Sequence, residues 1–361
     1  MLPVIEYRRA LHRIPELDDR LPETCAYVRA ALEGFGLETV SPIPSSVCAF
    51  LDAGRPETAA FRADMDALPV TEATGLPYAS EHPGVMHACG HDGHTAMVLA
   101  LAEYAAARRA ELPRNALFLF QPAEETTGGA ERLCETGLLE RYAAARVFGL
   151  HLWPGLEAGK VYSRPGPLMA RANEVTVTVS GKSVHLSRAA EGLDAMMAGA
   201  EYLRRAYAMV DGVPDLRVLR FGKMTSGSVR NAVSGRTVLE GSLRTYREEV
   251  QALCRQGLEA VGREIAAETG CGVEVHLSGG YPAVWNHEGL FETLRPALDG
   301  LLEDPVLAAE DFSFYQQRVP GVFCFLGAGN TPELHAPDFR FDDEAVLPRG
   351  VEFLKRVLLL E

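Results

Sequence analysis

Glu174–Ser180 reads EVTVTVS, with apolar and polar residues in strict alternation. A period of two places Val175, Val177 and Val179 on one face of a strand and the threonines on the other. Such a strand is half exposed and belongs to an antiparallel sheet with one covered face. The strands before it have another texture. Ala59–Ala63, Ala116–Phe120 (ALFLF) and Val147–Leu152 are short, nearly continuous apolar runs. Runs of that kind mark strands buried on both faces of a parallel sheet. Helical patterns at 4–12, 22–34 and Thr95–Arg109 alternate with them, as in an α/β domain. The change of texture near residue 173 therefore divides the chain.

Downstream of Ser180 the spacing predicts a helix over 192–210, strands at Arg217–Met224 and Arg236–Thr245, a helix over 247–269 and a strand at Gly272–Ser278. Strand–helix–strand–strand–helix–strand is the ferredoxin-like order. The α/β texture returns after residue 284, with a helix expected over 288–302 and a strand at Val322–Leu326. The expected fold is a mainly parallel α/β sheet flanked by helices, built from 1–172 and 284–361. A ferredoxin-like α+β domain over 173–283 interrupts it. A length of 361 residues suits two domains.

The chain carries 35 Lys and Arg against 49 Asp and Glu, a net charge of −14. That balance speaks against nucleic acid, which is held mainly by basic side chains on phosphates, and against an anionic membrane surface. No run approaches the ~20 apolar residues of a membrane helix, and the opening MLPVIEYRRALHRIPEL does not read as a signal peptide. Cysteines 25, 48, 89, 134, 254, 271 and 324 are odd in number and contain no CxxC pair. They are expected to be reduced thiols of a cytoplasmic protein.

The polar residues gather at expected strand ends. Asp64 and Asp66 follow one strand, Glu124 and Glu125 another, and His151 lies near the end of a third. His87-Ala-Cys89-Gly-His91-Asp-Gly-His94 directly precedes the long helix. Sites in open α/β sheets form at the carboxyl ends of strands, so four segments converge on one edge. Cys89 and His91 can reach one metal cluster from a turning backbone, which Gly90 permits, and thiolate, imidazole and carboxylate suit a first-row divalent ion. A lone CxH is as often an exposed first helical turn. Adjacent residues at a strand end point different ways, so one of Glu124 and Glu125 can bind metal while the other faces an attacking water. Taken singly, a Glu pair is more often a solvated loop, His151 a core histidine, and His335 or His185 a loop residue.

The segments RRALHRIPEL, FRADMDALPVTEATG, MHACGHDGHTAM, FLFQPAEE, GLHLWP, NAVSGRTVLEGSLRT, AAEDFSFY and ELHAPDFRF occur in this order. Together they resemble the peptidase M20 family, in its branch of N-acyl-amino-acid amidohydrolases, over almost the whole chain. The resemblance implies a catalytic domain with two divalent metal ions and a smaller lid that also forms a homodimer. Zinc, manganese, cobalt and nickel all fit such a donor set. It implies Cys89, His91, Glu125, His151 and His335 as metal ligands and Glu124 as general base. His185 matches a lid histidine that steadies an oxyanion. Asn231 and Arg244 match positions at the substrate carboxylate, and a guanidinium pairs well with a carboxylate there. Asp66 matches a brace for a metal ligand. The implied substrate is a small N-acyl amino acid. VWNHEGL, AAEDFSFY and VPGVFCFLGAG are most similar to enzymes that deacetylate N-acetyl-L,L-diaminopimelate in lysine biosynthesis. One departure concerns the lid, where the family's GGHAxxPH is replaced by SVHLSRAA, with Ala189 and Ala190 at the Pro and second His. Three rivals remain: a dipeptidase or carboxypeptidase on the same scaffold, a hydrolase with Cys89 as nucleophile, and a non-catalytic metal- or metabolite-binding protein.

Overall fold

The structure, a computed structural model, describes residues 2–360. In chain order the elements of the first stretch are helices α1 (Pro3–Arg13) and α2 (Pro22–Gly34) and strands β1 (Thr39–Val40), β2 (Val47–Leu51) and β3 (Thr58–Asp64). Helix α3 (His91–Ala107), strand β4 (Asn115–Gln121), short helices α4 (Gly129–Glu135) and α5 (Leu138–Arg141), and strands β5 (Ala144–Pro154), β6 (Val161–Ser163) and β7 (Gly166–Met169) follow. The inserted part holds β8 (Arg171–Ser180), α6 (Ala195–Asp211), β9 (Arg217–Ser226), β10 (Arg236–Thr245), α7 (Glu248–Thr269) and β11 (Gly272–Leu277). The chain ends with β12 (Val284–Asn286), α8 (Glu288–Leu294), β13 (Gly300–Leu301), α9 (Ser313–Gln316), β14 (Gly321–Gly329) and α10 (Asp343–Leu358).

Two compact units result. The first comprises the chain through Leu168, Val284–Pro305 and the chain from Glu310 onward. Its eight-stranded sheet has the order β1-β2-β4-β3-β5-β14-β6-β13. The inner strands β4, β3, β5 and β14 run parallel, while β1, β2 and β6 pair antiparallel. Every residue of β3 and β4 is buried, as their nearly continuous apolar runs lead one to expect. Helix α3 is buried along most of its circumference and lies in one apolar core with side chains of α1, α2 and α10. Buried Arg8 fastens three of these helices together. Its guanidinium donates to Asp92 of α3 at 2.8 Å and Asp343 of α10 at 2.7 Å.

The second unit, Met169–Ala283 with Val306–Ala309, is the ferredoxin-like sheet, in the antiparallel order β11-β8-β10-β9. Val175, Val177 and Val179 are fully buried in its core with residues of α6 and α7. Burial of each contributes about 2 kcal/mol.

Several boundaries differ from the expectation. Helix α3 begins at His91, four residues early, so His91 and His94 occupy its first turn. The helix expected over 288–302 stops at Leu294, because Pro296 lacks the N–H that would continue it, and Gly300–Leu301 is a strand. Helix α10 was not anticipated. Pro348 and Gly350 interrupt its pattern, yet Asp342 caps it by accepting from Glu344 and Ala345 N–H. Val306–Ala309 packs with the second unit, where Tyr246 donates to the Val306 carbonyl and Ala170 N–H to that of Ala308.

Candidate metal centre

Strands β3 and β4 pair in register to their last residues, Asp64 opposite Gln121. The residues just beyond them therefore emerge side by side. The Asp66 carboxylate accepts both Glu124 N–H and Glu125 N–H, each at 3.0 Å. Ala123 turns the chain at φ +60°, an uncommon conformation for an L side chain. Asp66 is thus a brace for the Glu pair, and its carbonyl accepts from His91 Nδ1 at 2.8 Å. That bond makes Nδ1 a donor, so Nε2 is the nitrogen that a cation would take once its proton is displaced.

Gly90 precedes α3 at φ +83°, and a Cβ there would meet Leu152 Cδ1 at 2.8 Å. Only glycine turns the chain there without strain, bringing Cys89 and His91 to the same edge. The Cys89 sulfur lies 3.6 Å from His151 Nε2, while His151 Nδ1 donates to the Leu152 carbonyl at 2.7 Å. His335 sits in a loop at φ +67°, and its N–H donates to the Ala88 carbonyl at 2.9 Å. Its Nε2 lies 3.3 Å from Glu125 Oε1. All five expected ligands thus come together in the first unit, with Glu124 beside them.

The donor atoms fall into overlapping groups. Cys89, Glu125 and His335 form one, and His91, Glu124 and Glu125 another, each with its atoms within 4.8 Å of one another. Glu125 belongs to both, as a carboxylate shared by two cations would. His91 Nε2 and Glu125 Oε1 are buried and 3.8 Å apart, and among the described residues neither has a well-aligned hydrogen-bond partner, His335 Nε2 standing 3.3 Å from the oxygen. Buried polar atoms are rarely left so, and a metal ion is what would satisfy both. Asp64 and His94 also lie close, but their atoms are spent on each other. His94 Nδ1 donates to Asp64 at 2.7 Å and its Nε2 accepts Leu152 N–H at 2.9 Å. They support the site from behind and are not free donors.

The charge balance asks for cations. Burial and then Glu125, Glu124 and Asp64 push the Cys89 thiol well above its ordinary range. Burial opposes a charge on His91, yet Asp64, Asp66 and Glu125 outweigh it and hold its pKa at about 10. Burial, with Glu310, Glu125 and Asp311 next, pushes the Glu124 carboxyl well up. The metal-free site therefore keeps protons on His91 and Cys89 that a cation must displace. Metal binding should tighten as pH rises, by about one to two powers of ten per pH unit between roughly pH 6 and 8. Competition against a chromophoric chelator measures this, and a pH-independent affinity would contradict it.

The loop carrying the Glu pair closes on itself. Gly128 N–H donates to the Ala123 carbonyl at 2.9 Å, and a Cβ on Gly129 would lie 2.0 Å from the Pro122 carbonyl oxygen. Gly129→Ala must therefore open the loop. It is expected to cost about 100-fold in kcat, the price of a misplacement near 1 Å, with the circular dichroism unchanged. Full activity in this variant would show that the loop tolerates a shift.

The other expected site residues lie in the second unit. His185 is exposed, with Nδ1 accepting Ser187 N–H at 3.2 Å, and it forms a β-bridge with Ala232. Leu186 N–H donates to the Asn231 carbonyl at 3.0 Å, so His185 and Asn231 are neighbours. Arg244 lies apart, on β10 opposite Ala172 and Val218. It is half-buried and donates to Ser242 Oγ at 3.1 Å. Among the described residues it pairs with no carboxylate, and burial lowers its pKa.

Sequence reasoning gave no role to Arg62, Glu310 and Asp311. Arg62 is a buried cation in β3, bonded to Asp64, Glu310 and Asp311 at 2.6–2.8 Å. An arginine inside the apolar run AAFRAD was the available signal, since a buried charge must be paired. Asp92 was likewise unassigned and pairs with Arg8 and His12.

An α/β sheet that gathers thiol, imidazole and carboxylate donors around two overlapping cation positions defines a metal-dependent hydrolase with a binuclear centre. The chain belongs to the peptidase family M20/M25/M40, whose model matches residues 60–360. It is 35% identical to an N-acetyldiaminopimelate deacetylase of Lacticaseibacillus paracasei, over 99% of this chain and 98% of that one. It is 36% identical to an N-acetyl-L-cysteine deacetylase of Bacillus subtilis, over 98% of this chain and 88% of that one. Among solved structures, a Bacillus subtilis dinuclear metal-binding peptidase of the M20 family superposes with a TM-score of 0.88 at 30% identity. That match covers 99% of this chain and 96% of the other.

Proposed function

We propose that the protein hydrolyses the amide bond of an N-acetyl amino acid, with Cys89, His91, Glu125, His151 and His335 holding two divalent cations. The observation that carries the reading is the braced Glu pair. Asp66 fixes the backbone of both residues, so both carboxylates stand at the donor cluster, and in this reading Glu125 holds a cation while Glu124 handles a proton. Cations held there would polarise the amide carbonyl and acidify water. Glu124 accepts the proton of the water that attacks the acyl carbon and passes it to the leaving amine. The products are the carboxylate and the free amino acid. His185 donates to the tetrahedral oxyanion, and Arg244 with Asn231 holds the carboxylate of the amino acid. A half-buried guanidinium without a carboxylate partner suits that task.

Both curated relatives are named for N-acetyl substrates, which supports acetyl as the acyl group. N-acetyl-L,L-diaminopimelate, in lysine biosynthesis, is the particular substrate proposed. A cytoplasmic setting is supported by seven unpaired cysteines. No helix among the described residues is long and apolar enough to cross a membrane. A homodimer through the second unit is supported by β9, an edge strand, and by Met196, Met197 and Met224, which are exposed. Edge strands with exposed apolar neighbours are natural pairing surfaces.

The test is amine release from N-acetyl-L,L-diaminopimelate beside N-acetyl-cysteine, other N-acyl amino acids and dipeptides. Preference for the diaminopimelate compound supports the full proposal. Preference for another N-acetyl amino acid keeps the chemistry and discards that substrate. Cleavage of dipeptides alone would replace the deacylase reading with a peptidase one.

A further inference from the structure

The motif AAEDFSFY supplies none of the five expected ligands, though Glu310 and Asp311 stand close to Glu124, and its Asp311 reaches both ends of the loop that carries Glu124 and Glu125. At the entry, Gln121 Nε2 donates to Asp311 Oδ2 at 2.6 Å. At the exit, Ala130 N–H donates to the same oxygen at 3.0 Å. The other oxygen, Oδ1, accepts from Arg62 Nη2 at 2.7 Å. Gln121 is fixed in turn, its Oε1 accepting from Arg62 Nε at 2.9 Å and Tyr315 Oη at 3.0 Å. Asp311, Arg62, Gln121 and Tyr315 are all buried, each at most 3% exposed.

We infer that Asp311 is a positioning residue, whose carboxylate pins the two feet of the Pro122–Gly128 loop and so sets where Glu124 and Glu125 stand. Asp66 holds the loop at its crown and Asp311 at its base. Two anchors are needed because the loop is bent through Ala123 at positive φ, a conformation that its own backbone disfavours. Three N–H donors point at Asp311, and only a carboxylate accepts all three. An amide in its place must turn an NH₂ toward at least one donor, leaving a buried donor unpaired. The bond from the Arg62 guanidinium to Oδ1 is charge-assisted, the stronger kind of hydrogen bond.

The inference rests on the deacylase reading for its kinetic consequence, but not for its structural one. Two readouts keep them apart in Asp311→Asn. The first is amide hydrogen exchange at Glu124, Glu125 and Ala130 in the metal-free protein, expected to quicken at least about tenfold at all three. The second is turnover of the best N-acetyl substrate, where kcat is expected to fall about 30- to 100-fold with KM within about threefold. Asn286→Ala is the control for mere loss of stability. Asn286 is buried in the same unit and donates to the Arg164 and Phe323 carbonyls at 2.8 and 3.1 Å, remote from the loop in sequence. It is expected to lower Tm at least as far as Asp311→Asn while keeping kcat within about threefold. Unchanged exchange at the three amides in Asp311→Asn would overturn the inference, whatever the activity. So would an equal loss of kcat in the control. If the native protein releases amine from no substrate, the deacylase reading fails and the exchange arm alone decides the role of Asp311.

Discussion

Glu124→Gln is expected to lose about a thousandfold in kcat while keeping its fold and its two cations. The substitution preserves the shape of the side chain and removes only its capacity to take a proton. It leaves the loop anchored, because the bond from residue 124 to Asp66 is made by the backbone N–H. Cys89, His91, Glu125, His151 and His335, the ligands of this reading, are unchanged. In the metal-free site burial, Glu310, Glu125 and Asp311 push the carboxyl up, and cations beside it would bring it down again and leave it able to accept a proton. Steady-state turnover with metal analysis on the same sample measures the effect. Turnover within tenfold of the native protein would remove Glu124 from the role of base.

The second large effect concerns Cys89, the residue on which the metal and thiol readings divide. Its sulfur is 3.6 Å from His151 Nε2, the kind of pair that a cysteine hydrolase also shows. The electrostatics point the other way. An activated thiol is held as thiolate by nearby positive charge, whereas burial, Glu125, Glu124 and Asp64 push this one well above its ordinary range. A cation would reverse that by taking the sulfur as ligand. Cys89→Ala is therefore expected to weaken metal binding at least about 100-fold, beyond what losing an outer hydrogen bond to a ligand costs. Most of its lost turnover should return when metal is raised to saturation. A nucleophile has no such rescue, and Cys89→Ala dead at every metal concentration would support the thiol mechanism.

Much of this was legible in the chain because it depends on local pattern. The EVTVTVS alternation announces a one-sided strand, and Val175, Val177 and Val179 are indeed the buried face. The unbroken ALFLF run announces a strand buried on both sides, and β4 is one. The carboxyl ends of adjacent parallel strands are neighbours in any such sheet, so the gathering of Asp66, Glu124, Glu125 and His151 followed from topology.

What escaped depends on partners far away in sequence. Helix α10 carries Pro348 and Gly350, and its core neighbours lie in α1 and α3. Helix α3 starts at His91 because Gly90 turns there beside Leu152, a residue some sixty positions on. Asp311 finds Arg62 and Gln121 only after β3, β4 and the AAEDFSFY segment have met. His94 illustrates the reverse case. Its spacing invites a ligand role, and only the bonds to Asp64 and Leu152 N–H show that both ring nitrogens are already engaged.

The most direct test of the binuclear amide-hydrolysis account is a metal titration of the stripped protein. The chain would be freed of metal with a strong chelator, then titrated with Zn²⁺ or Mn²⁺ while amine release from an N-acetyl amino acid is followed. The account predicts no measurable turnover without metal and a rise that levels off as two equivalents are bound. Turnover undiminished in the metal-free protein would contradict it.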